Sequence, residues 1–145
     1  MMERMTKTSR KSLNKNGFHR TRNDHANETA EDYVEAIAEI QEKKGRCRCA
    51  DLARLFGVSH VTVLKIVSRL ENEGLVTTEP YAPVKLTRRG KSLASESKKR
   101  HELVLNFLLS IGVDPETAVI DAEGIEHHVS KKTLECFRRI IEEGS

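Results

Sequence analysis

"CADLARLFGVSHVTVLKIVSRLENEGLV", from Cys49 to Val76, is the stretch on which the fold turns. It reads as two short helices joined by a tight turn. Leu52, Leu55 and Phe56 supply an apolar face for the first helix, Gly57 permits the turn, and Ser59 is a natural N-cap for the second. With Val63 at the centre of an inward face and about 100° per residue, Val67 and Leu70 fall within about 40° of it. Lys65, Arg69, Ser68, Thr62 and Val61 point the other way. That outward face is basic and hydroxyl-bearing, with one small apolar group, which is what a duplex surface requires. Lys65 and Arg69 suit phosphates or guanine edges, Ser59, His60 and Thr62 suit polar edges at the helix start, and Val61 suits a thymine methyl.

The flanks complete a known arrangement of elements. Upstream, "ETAEDYVEAIAEIQEKKG" from Glu28 spaces Tyr33, Ile37 and Ile40 as one helical face and ends at Gly45. Downstream, "LVTTEPYAPVKLT" places two β-prone runs, residues 75–78 and 84–86, around a turn holding Pro80 and Pro83. Helix, helix, helix and hairpin predict a winged helix-turn-helix over residues 28–95, with Arg88 and Arg89 beside the wing to clamp the DNA backbone. Winged helices also serve as protein-interaction modules, so charge must help decide. Net charge runs +5, −6, +9 and −5 over residues 1–27, 28–42, 43–100 and 101–145. The basic middle favours a polyanion partner, double-stranded DNA.

Beyond the wing the pattern is helical throughout. Thr87 caps a long helix reaching about Ser110, with Leu93, Leu103, Val104, Phe107 and Leu108 as its buried residues, and Gly112 closes it. "DPET", Asp114 to Thr117, starts another with Asp as N-cap and Pro at the first helical position. Ser130 caps a last one, "KKTLECFRRIIEEG", whose Leu134, Phe137, Ile140 and Ile141 share a face. The predicted fold is mainly α, a winged helix-turn-helix DNA-binding domain followed by a helical metal-binding and dimerisation domain over residues 96–145. The spare apolar surface of these helices predicts a homodimer.

The whole chain fits that picture. Its 145 residues are 37% hydrophobic and 32% charged, and no apolar run approaches the roughly 18 residues of a membrane span. With no secretory signal pattern at its start, a cytoplasmic protein is expected. Residues 1–27 are basic, polar and poor in apolar side chains, and are expected to be a disordered tail. Its charge suits sequence-independent attraction to DNA, although a solvated tail has the same composition. Cys47, Cys49 and Cys136 have neither disulfide-framework nor zinc-clip spacing and read as reduced packing residues.

A second pattern concerns carboxylates and imidazoles. Glu28, Asp32, Glu35 and Glu39 form one stripe of the first helix. In "DAEGIEHHVS", residues 121–130, Glu123, Glu126 and His127 fall on one helical face, with His128 turned about 100° away. His101 follows the basic run "KKR". Each element has a bland explanation, since acidic stripes are usually solvated and single histidines usually serve as satisfied polar residues. Together they are more informative: carboxylates gathered from separate helices repel one another unless a cation lies between them. Oxygen ligands with imidazole and no thiolate suit Mn²⁺ or Fe²⁺ better than structural zinc.

"AEDYVEAI", "SHVTVLKIVSRLENEGLV", "KRHELVLNFLLSIGV" and "DAEGIEHHVS" resemble the manganese-transport branch of the diphtheria-toxin-repressor family of metal-dependent transcriptional regulators. The similarity covers about Glu28 to Ile141. It implies a dimeric repressor that binds a palindromic operator when loaded with one or two Mn²⁺ per subunit, Fe²⁺ or other divalent ions being alternatives, and controls manganese transport genes. The implied ligands are Asp32, Glu35, His101, Glu123, Glu126 and His127. Iron-responsive relatives carry methionine and cysteine at the positions of Asp32 and Glu123, so the oxygen donors here favour manganese. An iron- or zinc-responsive repressor of the same family is the main alternative. A di-metal carboxylate enzyme would need paired Glu-x-x-His motifs on a four-helix bundle, whereas Glu123 is followed at that spacing by Glu126.

Overall fold

The computed structural model describes residues 7–144, with side chains from residue 26 onward. Helix α1 spans Lys7–Lys44, α2 Cys49–Phe56 and α3 His60–Asn72; strands β1, Val76–Thr77, and β2, Lys85–Leu86, follow, then α4 Arg88–Ser110, α5 Pro115–Ile125 and α6 Lys131–Glu143. The strands pair antiparallel with Val76 opposite Leu86 and Thr77 opposite Lys85, and Cys47 bridges Val84 to extend the wing by one position.

Local chemistry sets these boundaries. Ser59, Thr87, Asp114 and Ser130 each accept a hydrogen bond from the backbone N–H three residues on, capping α3, α4, α5 and α6. Gly57 ends α2 in the left-handed region at φ 63°, which lets the chain turn sharply into α3.

Two apolar clusters hold the elements. The head is built on Val34 and Ile37 of α1, Leu52 of α2, Val63, Val67 and Leu70 of α3 and Val76 and Val84 of the wing, with Ala94 of α4 closing it. Tyr33 stacks on Phe56 at 4.4 Å between ring centroids. The second cluster joins Val104 and Leu108 of α4 to Ala118 and Ala122 of α5, and Phe107 stacks on Phe137 of α6 at 3.9 Å. Helix α4 therefore belongs to both, and the expected domain boundary between residues 95 and 96 falls inside it.

Two expectations change. Residues 7–27 were expected to be disordered, but α1 begins at Lys7 rather than at Glu28; the remainder of that expected tail, residues 1–6, lies outside the described residues. Residues 7–27 contain no proline and a single glycine, and once packing fixes residues 28–44 each further residue adds a hydrogen bond without a new nucleation cost. Leu55, assigned to the apolar face of α2, is 57% exposed. It lines a small cleft with Asp32, Glu35 and Glu123 instead of entering the core.

The junction between wing and α4 leaves no room. A Cβ on Gly90 would lie 2.0 Å from the Leu75 carbonyl oxygen, because Thr87 donates its N–H to that same oxygen at 3.0 Å and its hydroxyl to the Gly74 carbonyl at 2.6 Å. Gly90→Ala must push α4 away from the wing root. It should cost about 1–3 kcal/mol, read as a lower urea midpoint with an unchanged slope.

Candidate metal centre and nucleic-acid interface

Three elements converge where the first cluster ends. Helix α1 brings Glu28, Glu31, Asp32 and Glu35, α4 brings Ser97, Arg100 and His101, and α5 with the turn after it brings Glu123, Glu126 and His127. Sequence spacing put the last three on one helical face. The helix stops at Ile125, with Glu126 as its C-cap residue, so His127 belongs to the turn. Glu123 and Glu126 consequently meet His101, while His127 reaches toward α1.

Five of the six expected ligands lie in two adjoining groups, and Glu35 lies beside them. In one, His101 Nδ1 is 3.3 Å from Glu126 Oε1 and 3.8 Å from Glu123 Oε1. In the other, His127 Nε2 is 3.2 Å from Asp32 Oδ1. Glu126 Oε1 links the two, at 3.5 Å from His127 Nε2. Glu35 sits within the electrostatic reach of His101, Glu123 and Asp32, and with Asp32 and Glu123 it lines a cleft of about 290 Å³. Glu28, previously only a member of the acidic stripe, joins Asp32 and His127 with donor atoms within 4.8 Å of one another.

Sequence reasoning missed the residues that orient these side chains. Glu31 Oε2 accepts from His127 Nδ1 at 2.7 Å, and Arg100 Nη2 holds the other Glu31 oxygen at 2.7 Å. This fixes the proton of His127 on Nδ1 and turns Nε2 toward Asp32 and Glu126. The Ser97 hydroxyl, fully buried, donates to Glu35 Oε2 at 3.0 Å. The signals for them were modest: Glu31 lies four residues before Glu35, Ser97 four before His101, and Arg100 immediately before His101.

The electrostatics are those of a site short of positive charge. Burial pushes the Glu126 carboxyl up to about 7, aided by Glu35 and Glu123 and opposed by the two histidines. Burial also raises Glu35. Burial alone would lower His127, yet its bonds to Asp32 and Glu31 outweigh it and raise the ring to about 10. Burial would likewise raise Glu31, but His127 and Arg100 together hold it below the usual carboxylate range. Glu126 is 2% exposed, and its Oε2 has no hydrogen-bond partner. A buried carboxylate with one oxygen against two imidazoles and the other without a hydrogen-bond partner fits a hard divalent cation. Neither group of donors includes a cysteine.

The DNA-side residues divide differently from the sequence reading. His60, Val61, Lys65 and Arg88 are exposed, and Thr62 is half-buried. Ser59 is exposed, although its Oγ is engaged in capping Thr62 N at 3.1 Å. Arg69 instead turns back, donating from Nη2 to the Ala26 carbonyl of α1 at 3.2 Å. Arg89 donates to the Glu73 carbonyl at the end of α3, at 3.0 Å. Leu64, which the sequence reading left out, is 48% exposed on α3.

Comparison with known proteins agrees with both halves. Residues 25–84 match the iron dependent repressor N-terminal DNA binding domain, and residues 87–143 match the iron dependent repressor metal binding and dimerisation domain. The chain is 48% identical over 122 residues to the transcriptional regulator MntR of Escherichia coli O6:H1, covering 84% of this chain and 79% of that one. It is 39% identical over 112 residues to the HTH-type transcriptional regulator MntR of Bacillus subtilis, covering 77% and 79%. Among solved structures it resembles the manganese regulator SloR, with TM-score 0.68 and 29% identity, covering 78% of this chain and 53% of that one. A manganese-dependent transcriptional repressor complex with manganese gives TM-score 0.69 and 29% identity, covering 78% and 52%. The chain thus spans about half the length of those two structures. Matched by both family models across its DNA-binding and metal-binding halves, the chain belongs to the iron dependent repressor family.

Proposed function

We propose that this chain is a manganese-responsive transcriptional repressor that binds a palindromic operator as a metal-loaded homodimer and controls manganese transport genes from the cytoplasm. It is a regulator and not an enzyme, as its family membership indicates. The observation that carries the metal part is the buried Glu126 carboxylate, one oxygen unpartnered, between His101 and His127. Asp32, Glu35, His101, Glu123, Glu126 and His127 are the proposed ligands, with one or two ions per subunit. Oxygen and imidazole donors without thiolate favour Mn²⁺, with Fe²⁺ next. The names of the regulators and repressors it resembles point the same way.

When bound, a divalent cation supplies the positive charge that the gathered carboxylates lack. The chain's own groups do the rest. Glu31 and Arg100 keep His127 Nε2 aimed inward, and Ser97 holds Glu35. Without a cation, Arg100 offsets Glu31, and protonated His127 is left as the counter-charge to Asp32 and Glu126, which it cannot balance together. Helix α1 carries Asp32 and Glu35 and also packs in the head, where Arg69 of the reading helix is tied to the Ala26 carbonyl. The placement of α1 against α4 and α5 therefore sets how each head is presented, and two heads of a dimer read successive major grooves only at one spacing. Leu109, Ile111, Val119, Ile120 and Ile140, all exposed on or beside α4, α5 and α6, supply the apolar surface for the dimer. Among the described residues no helix is long and apolar enough to cross a membrane.

The duplex most enriched by the Mn²⁺-loaded protein from a random library serves as the DNA probe. Its affinity should rise at least tenfold with Mn²⁺ over metal-free protein and respond less to Zn²⁺; equal affinity with and without Mn²⁺ sinks the switch. Glu123→Ala should abolish the Mn²⁺ response while keeping far-UV circular dichroism and urea stability unchanged. Glu31→Gln should weaken Mn²⁺ binding about 10–100-fold, measured calorimetrically, with the fold intact.

The proton balance gives a further check. His127, raised from 6.5 to about 10, stabilises the metal-free fold fully below pH 6.5, and that contribution is lost as pH rises through 10. Glu126, raised from 4.5 to about 7, acts in the same direction, its contribution being lost as pH rises through 7. Metal-free stability should therefore decline from neutral pH toward 10. Ligation by His127 Nε2 requires loss of its proton, so Mn²⁺ affinity should increase with pH over the same window. Calorimetry between pH 8 and 9, where Glu126 is already ionised and His127 is not yet deprotonated, in buffers of different ionisation enthalpy should register about one proton released per subunit.

A further inference from the structure

The wing ends in a four-residue turn, Glu79-Pro80-Tyr81-Ala82, closed by the Ala82 N–H donating to the Glu79 carbonyl at 3.1 Å. Tyr81, third in that turn, has φ 63° and is the one non-glycine residue with positive φ among the described residues. A turn with positive φ at its third position accepts glycine or asparagine comfortably and a bulky aromatic poorly. Burial does not offset that cost, because Tyr81 is 99% exposed. The turn is nevertheless stiff. Pro80 and Pro83 fix their own backbone, and Arg48, just ahead of α2, donates from Nη1 to the Tyr81 carbonyl at 3.3 Å, tying the tip to the head. A strained backbone that presents an aromatic ring wholly to solvent from an anchored turn has no folding rationale; strain of this kind gathers at binding sites.

Position supplies the rest. Between the wing and α3 runs a channel of about 450 Å³ lined by Leu64, Ser68 and Glu71 on one side and Thr78, Glu79 and Tyr81 on the other. With α3 in a major groove, the next feature of the duplex is a sugar-phosphate strand and beyond it a minor groove about 6 Å wide. Glu71 and Glu79 make the floor of the channel unsuited to phosphate, so a strand leaving α3 would pass over it and bring the groove beyond to the wing tip.

We propose that Tyr81 is a DNA-reading residue that enters the minor groove flanking each half-site, its ring against the sugar wall and its hydroxyl donating to adenine N3 or thymine O2. This rests on the reading of the chain as a DNA-binding regulator. In the minor groove a G·C pair differs from A·T by the guanine N2 amino group, a donor that opposes a hydroxyl donating there, and an uncharged ring takes up apolar sugar surface. The contact neutralises no phosphate, so it adds affinity and A·T preference without adding salt dependence.

Full-length Mn²⁺-loaded wild type, Tyr81→Gly and Tyr81→Phe are compared on the duplex enriched by the wild type, by fluorescence anisotropy across a salt series and by hydroxyl-radical footprinting. Tyr81→Gly relieves the backbone and should be at least as stable to urea as wild type, yet bind roughly tenfold more weakly with the same salt slope. It should also lose protection in the minor groove outside the α3 contacts. Tyr81→Phe keeps the ring; on a variant of that duplex with G·C flanks it should bind as wild type does, and it should lack the wild type's preference for A·T over G·C flanks. A Tyr81→Gly protein that binds as tightly as wild type, with the same footprint, overturns the proposal, as does a lost affinity accompanied by a reduced salt slope, which would mean that the head had moved off phosphates. A wild type whose DNA affinity ignores Mn²⁺ overturns the regulatory reading instead and leaves the Tyr81 comparison intact.

Discussion

The burial of one carboxylate organises this molecule. Glu126 sits at the end of α5, almost wholly out of water, with one oxygen against two imidazoles and the other without a partner. An ionised carboxylate in that position is costly unless charge is brought to it. The carboxylates that act on it, Glu35 and Glu123, have the wrong sign to help, Arg100 is spent on Glu31, and His127 is already engaged by Asp32 and Glu31. The elements that supply these groups are thus held together by the apolar clusters while their charges stay unbalanced. Their geometry consequently depends on the charge available at the centre, which is the property a ligand-controlled switch needs.

Much of this was legible in the chain. Periodicity, the caps at Ser59, Thr87, Asp114 and Ser130, and the turn glycine Gly57 located the helix-turn-helix and the helices beyond it because those signals are local. The proposed ligands were carried over from a resemblance to a family, since spacing alone favoured a solvated acidic stripe, and the structure places five of them in two adjoining groups with Glu35 beside them. What could not be read is what depends on tertiary contact. Glu31 looked like one more charge on the acidic helix, and only the meeting of α1, α4 and the turn after α5 gives it His127 and Arg100. The helical stretch of residues 7–27 was missed for the opposite reason: composition argued against a core there, and helix propagation from a packed segment needs none.

The positive charge of the head is less available than its count suggests. Of the basic residues in the +9 segment, Lys43 pairs with Glu39, Lys44 and Arg54 with Asp51, and Arg100 with Glu31, while Arg69 and Arg89 bond to backbone carbonyls. The outward face of α3 and the wing tip retain Lys65 and several neutral groups, among them Val61, Leu64 and Tyr81.

That economy bears on control. A head whose free cations could each grip a phosphate would hold DNA strongly in any orientation, because counterion release is indifferent to register. Metal would then change little, since a ligand shifts an equilibrium only by its differential effect on the two states. A head that relies on shape, apolar contact and a few placed cations binds well only when both copies in the dimer meet their grooves together. On the proposed function, pairing part of its basic residues within the head makes DNA affinity depend on the relative placement of the two heads, set by the packing of α1 against α4 and α5.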